Sequence, residues 1–108
     1  MKSVYIAGPY TAPNRELEDA NIDQAAVVAA EYMRKGYAVF CPHTMSAHLD
    51  REHNEDGMLQ HKDWLRNDVY WLQFCDAIHL LPGWDESEGA KFEYQVARLI
   101  GLKIWGAI

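Results

Sequence analysis

The chain has 108 residues, of which 49% are hydrophobic and 12% aromatic, and a formal net charge of -6. That length accommodates one domain and no second core, and the apolar content excludes a disordered chain. The negative charge excludes non-specific binding to nucleic-acid polymers, which depends on clustered Lys and Arg, but leaves room for a small anion held at a helix N-terminus.

Residues 4–7, Val-Tyr-Ile-Ala, form a short apolar run that stops at Gly8-Pro9 and read as a buried strand with a turn. Ala20, Ile22, Ala25, Ala26, Ala29, Ala30 and Met33 recur at helical spacing, so a helix is expected over residues 19–35, with Gly36 as its stop. A second strand follows over 37–41, closed by Pro42. Residues 43–57 are polar and charged and read as a long surface loop, of the kind that often forms a functional lid. A second helix is expected over 58–74, a third strand over 76–81 ending at Pro82-Gly83, a third helix over 88–100 and a last strand over 103–105.

Strands alternating with helices imply parallel pairing, hence an α/β fold: a three-layer, flavodoxin- or Rossmann-like parallel sheet of four to five strands flanked by helices. Ligands of such sheets bind beyond the C-terminal ends of the strands. The turns after strands one and three should therefore share a site.

No apolar run approaches the roughly 20 residues that span a bilayer, so a soluble, cytoplasmic chain without membrane partners is expected. Cys41 and Cys75 lack metal or redox spacing and read as buried free thiols. Four Trp and six Tyr are many for so small a domain and point to self-association as a homodimer or larger homo-oligomer.

Two carboxylates break the helical patterns. At about 100° per residue, Phe92, Val96, Leu99 and Ile100 form the apolar stripe of the third helix, with Glu88, Lys91, Gln95 and Arg98 opposite. Glu93 projects from the stripe's edge, and its neighbours three and four residues away, Gly89, Ala90, Val96 and Ala97, cannot pair with its charge. In the second helix Asp68 falls among Trp64, Leu65, Trp71 and Leu72, where desolvation should raise its pKa. Each carboxylate alone has a structural explanation, an ion pair or a backbone cap. Together, near one crevice, they match the paired carboxyls of glycosyl cleavage. Ser87 and Gly89 open the third helix, where free N–H groups suit an anion; capping explains them equally well, and Asp85 with Glu88 matches a capping box.

Around these residues the chain resembles the nucleoside 2-deoxyribosyltransferase superfamily, which includes the 2'-deoxynucleoside 5'-monophosphate N-glycosidases and small phage and bacterial relatives. The resemblance rests on VYIAGPY at 4–10, NDVYWLQFCDAI at 67–78, SEGAKFE at 87–93 and IGLKI at 100–104, and spans nearly all of residues 1–108 as one domain. It implies that Glu93 is the nucleophile, Asp68 the catalytic aspartate and Tyr5 the residue that orients Glu93. Gly8 and Gly89 would border the substrate, His43 would lie near the base, and Ser87 would contact a 5'-phosphate. One departure stands out: where the hydrolases carry an arginine soon after strand one, this chain has Tyr10-Thr11.

The implied chemistry is retaining cleavage or transfer at the N-glycosidic bond of 2'-deoxynucleotides or deoxynucleosides, with hydrolysis of the 5'-monophosphate preferred and no metal or organic cofactor. Family resemblance also implies that a neighbouring subunit completes each site. A non-catalytic nucleotide-binding or sensor protein with the same site is the alternative, and an interaction module whose carboxylates pair across a subunit interface is a third.

Overall fold

In the computed structural model, which describes residues 2–107, the elements run β1 (Ser3–Ala7), α1 (Arg15–Arg34), β2 (Ala38–Phe40), α2 (Pro42–His53), α3 (His61–Leu72), β3 (Ala77–Leu80), a 3-10 turn (Trp84–Glu86), α4 (Glu88–Ile100) and β4 (Lys103–Gly106). The strands form one four-stranded sheet in the order β2-β1-β3-β4. All pairings are parallel, with Tyr5 opposite Phe40 on one side and Ile78 on the other, and Ile78 opposite Ile104. The expected α/β sheet is thus present, with four strands.

Alternation along β1 divides the core in two, as the two-residue period of a strand requires. Val4 and Ile6 pack with Ala25 and Ala29 of α1 and with Leu81. Tyr5 and Ala7 face the other way, into Leu72 of α3, Ala90 and Ala97 of α4, and Ile78 and Leu80 of β3.

Several boundaries differ from the sequence reading. α1 begins at Arg15 because Asn14 caps it, its side chain accepting a hydrogen bond from the Leu17 N–H at 2.9 Å. α3 begins only at His61, since Met58 and Leu59 belong to a loop tied down by Asn54, whose side chain bonds both the N–H and the carbonyl of Leu59 at 2.9 Å.

The expected surface loop over 43–57 is largely a helix, α2. Pro42 occupies its first turn, where a fixed φ favours the helix and no N–H is missed. Arg51 then clamps α2 to α1 through Glu18 at 3.0 Å and Asp19 at 2.8 Å. Met45 and Leu49 remain exposed, so no apolar stripe announced this helix.

α4 has the expected bounds but not the expected orientation. Its buried residues are Ala90, Glu93 and Ala97, whereas Phe92, Leu99 and Ile100 are exposed, Leu99 by 86%. The two alanines let the helix approach the sheet closely, so the large side chains turn outward. It ends in a left-handed Gly101 at φ 85°, whose N–H and that of Leu102 bond the carbonyls of Arg98 and Ala97. The two cysteines are free and half-buried rather than buried. Among the described residues, no helix is long and apolar enough to cross a membrane.

Candidate active site

From β1 the chain runs through α1 to β2 on one side, and β3 lies on β1's other side, which makes the C-terminal end of β1 a topological switch point. A cleft of about 800 Å³ opens there. It is lined by the loop after β1, by α2 and α3, and by the turn leading into α4 with the first residues of that helix.

Glu93 and Asp68 both line this cleft and are both buried, at 6% and 8% exposure. Tyr5 is fully buried beneath it and does not line it; its hydroxyl donates a short hydrogen bond to Glu93 Oε2. Stacking fixes the ring in place: Tyr5 lies 5.6 Å from Phe40 at 18°, and Phe40 lies 5.9 Å from Trp71 at 21°. Tyr5 therefore holds the Glu93 carboxyl from behind.

Burial pushes the Glu93 carboxyl up from its ordinary 4.5 to about 8; the Tyr5 hydrogen bond opposes this, and the nearby Asp68 charge adds to it. Asp68 rises from 3.8 to about 6, also mainly through burial. Among the described residues its Oδ1 has no hydrogen-bond partner. Buried polar atoms are nearly always paired, so this oxygen, on a residue that lines the cleft, has unmet hydrogen-bonding capacity. Between about pH 6 and 8 the two carboxyls together hold one proton.

His43, on the first turn of α2, is 4% exposed, and its Nε2 bonds the Pro9 carbonyl at 3.0 Å. A carbonyl only accepts, so Nε2 carries the proton and Nδ1 is left as an acceptor, buried and without a partner. Burial lowers the pKa of this imidazole and keeps it neutral. Beside it, ring centroids 5.9 Å apart, lies Tyr10, whose hydroxyl is likewise buried and unpartnered.

Ser87 and Gly89 border the cleft at the start of α4. Ser87 is the cap of that helix, accepting from the Ala90 N–H at 3.2 Å. The Asp85–Glu88 capping box does not form, because Asp85 sits in the preceding 3-10 turn. Gly8 lines the cleft too and has a packing role: a Cβ there would come within 2.7 Å of Leu81 Cβ.

The structure thus gathers Glu93, Asp68, His43, Gly8, Ser87 and Gly89 around one cleft, with Tyr5 behind Glu93. It adds Tyr10, Ser46, Asp50, Trp64 and Glu86, which the sequence reading did not single out as site residues. Ser46 and Asp50 were hidden by the reading of α2 as loop. Trp64, one helical turn before Asp68, and Tyr10, next to Gly8-Pro9, were legible by position.

Solved structures of two 2-deoxyribosyltransferases match this fold. A 2-deoxyribosyltransferase from the psychrotolerant bacterium Bacillus psychrosaccharolyticus superposes with a TM-score of 0.66 at 18% identity, over 96% of this chain and 70% of that one. A 2-desoxiribosyltransferase from Leishmania mexicana gives 0.63 at 18% identity, over 98% of this chain and 63% of that one. Both enzymes are longer than the present chain. No curated protein matches it. Residues 2–105 match the family described as domain of unknown function DUF4406, and the chain belongs to that family.

Proposed function

We propose that this protein cleaves or transfers the N-glycosidic bond of 2'-deoxynucleosides through a retaining mechanism with Glu93 as nucleophile. The observation that carries this reading is the buried pair Glu93–Asp68 lining the cleft at the switch point, with Tyr5 bonded to Glu93 and one Asp68 oxygen unpartnered among the described residues.

Retaining cleavage needs one carboxylate and one carboxylic acid. The pair holds one proton near neutrality, which is the required count. In the resting site Glu93 has the higher proton affinity. As positive charge develops at C1' of a bound deoxyribose, the ionised form of Glu93 is favoured and the proton is better placed on Asp68. Glu93 then attacks C1', Asp68 protonates the departing base, and a glycosyl ester forms. Water, activated by Asp68 in its basic form, or a second base resolves the ester with a second inversion, giving net retention. Tyr5 steadies the Glu93 carboxylate, and His43 Nδ1 accepts an N–H from the base.

Ser87 favours a second reading, hydrolysis of the deoxynucleoside 5'-monophosphate, because its hydroxyl proton remains free to donate while its oxygen caps α4. A homo-oligomer completes the proposal: Tyr70, Trp71 and Phe74 at the end of α3, and Phe92, Leu99 and Ile100 on α4, are large, apolar and exposed. Incubation with deoxynucleosides and their monophosphates, following free base by chromatography, tests the activity. Base release that Glu93→Ala abolishes supports it; no release, or equal release by the variant, refutes it.

A further inference from the structure

Among the described residues one hydrogen bond reaches the Glu93 carboxyl, from the Tyr5 hydroxyl, and that hydroxyl is aimed by the packing of its ring. The register of the sheet sets the first contact. Tyr5 stands opposite Phe40 on the neighbouring strand, so both side chains project from the same face, and the rings stack at 5.6 Å and 18°. Phe40 is also the partner of Trp71, at 5.9 Å and 21°. Both separations lie in the range of offset-stacked pairs, and tilting the middle ring would cost contact with both neighbours.

The row runs from the interior to the surface. Tyr5 is fully buried, Phe40 is partly buried against the core cluster that contains Tyr5 and Leu72, and Trp71 is half-exposed. At its outer end Trp71 meets Tyr70 edge-on at 5.2 Å and 89°, and Phe74 at 6.5 Å and 58°. Trp71 also follows Asp68 by one turn of α3. The helix that presents the second carboxyl therefore carries the last ring of the row.

Resting on the reading of Glu93 as nucleophile, we infer that Phe40 and Trp71 are positioning residues, which through the Tyr5 ring hold its hydroxyl on Glu93 and the carboxyl in place for attack. Loosening the row weakens that hydrogen bond. Burial drives the Glu93 pKa up, the Tyr5 bond holds it down, and Asp68 of α3 is the other titratable group that bears on it. Cys75, just after α3, bears on Tyr5. A weaker Tyr5 bond should therefore raise the titration midpoint of Glu93 and lower kcat more than it changes KM.

NMR titration of the full chain labelled with 13C-carboxyl glutamate, with the Glu93 signal assigned by its absence from Glu93→Gln, reads that midpoint without turnover. Phe40→Leu and Trp71→Leu should each raise it by roughly 0.4–1 pH unit, the worth of one aromatic pair. Trp71→Phe, which keeps a ring against Phe40, should restore it, and Phe74→Leu, on the same patch but outside the row, should leave it in place. In a Tyr5→Phe background Trp71→Leu should add nothing, because the effect passes through the Tyr5 hydroxyl. A midpoint that stays or falls in both leucine variants, an equal rise with Phe74→Leu, or a full rise without the Tyr5 hydroxyl overturns the inference. On deoxynucleosides the same two leucine variants should lose about two- to tenfold in kcat with KM little changed. Midpoints that move in a protein releasing no base uphold the positioning and refute the glycosyl-transfer reading; base release with unmoved midpoints does the reverse.

Discussion

Replacing Glu93 by Gln removes a buried ionisable group while keeping an oxygen to accept from Tyr5, and its effect on stability should depend steeply on pH. The Glu93 carboxyl is raised in the folded protein, from 4.5 to about 8, so folding favours its protonated form. Stability from this source is full below pH 4.5, declines as pH rises, and is lost above about 8, because the folded state then contains a buried charge. Converted directly, that displacement corresponds to about 5 kcal/mol, at 1.36 kcal/mol per pKa step. Relaxation and water entry reduce the realised cost of a buried ion to several kcal/mol, so a gain of about 2–4 kcal/mol above pH 8 is expected for Glu93→Gln. Urea unfolding followed by circular dichroism, at one protein concentration and a series of pH values, measures the difference. The variant should gain on wild type progressively from about pH 5 to 8. A difference that stays constant over that interval, or a variant less stable at alkaline pH, would refute the assignment of a neutral, desolvated Glu93.

Tyr5→Phe removes the hydrogen bond that holds the Glu93 pKa down, so the alkaline limb of the pH–rate profile, where the pair loses its one proton, should move to higher pH and kcat should fall about 10²-fold; an unmoved alkaline limb would show that Tyr5 does not act through Glu93. Asp68→Asn should lower kcat by about 10²- to 10⁴-fold, with much of the loss recovered on substrates whose base departs without protonation. Equal losses on good and poor leaving groups would exclude Asp68 as the acid. Gly8→Ala drives a Cβ to 2.7 Å from Leu81 Cβ and 2.8 Å from Leu81 Cδ1, so thermal or urea unfolding should show about 1–3 kcal/mol of lost stability. An unchanged unfolding midpoint would mean that the β1 loop shifts freely.

The order of strands and helices was legible because each buried strand is a short apolar run closed by Gly or Pro, and because α4 has a clean start and a Gly stop. α2 was not legible, since its place is set by Pro42 and by the Arg51 clamp, both of which act through contacts that polar periodicity does not reveal. In α4 the large apolar residues suggested the inner face, yet close packing against the sheet selected Ala90 and Ala97 instead. The same substitution of small for large explains why Glu93 looked misplaced: it lies between the alanines on the buried face, where a carboxylate has both room and a hydroxyl partner. Asp68 was readable from its tryptophan and leucine neighbours. The presence of Asp50 and Glu86 at the same cleft was not, because only the fold brings their two elements together.

The most direct test of the central claim is covalent trapping. The full chain is incubated with a deoxynucleoside analogue fluorinated at C2', which slows hydrolysis of the glycosyl ester, and the protein is digested and analysed by mass spectrometry. A glycosyl adduct on Glu93, absent from Glu93→Gln, is the predicted result. Base release without any adduct, or an adduct on another residue, would contradict the assignment of Glu93 as the nucleophile.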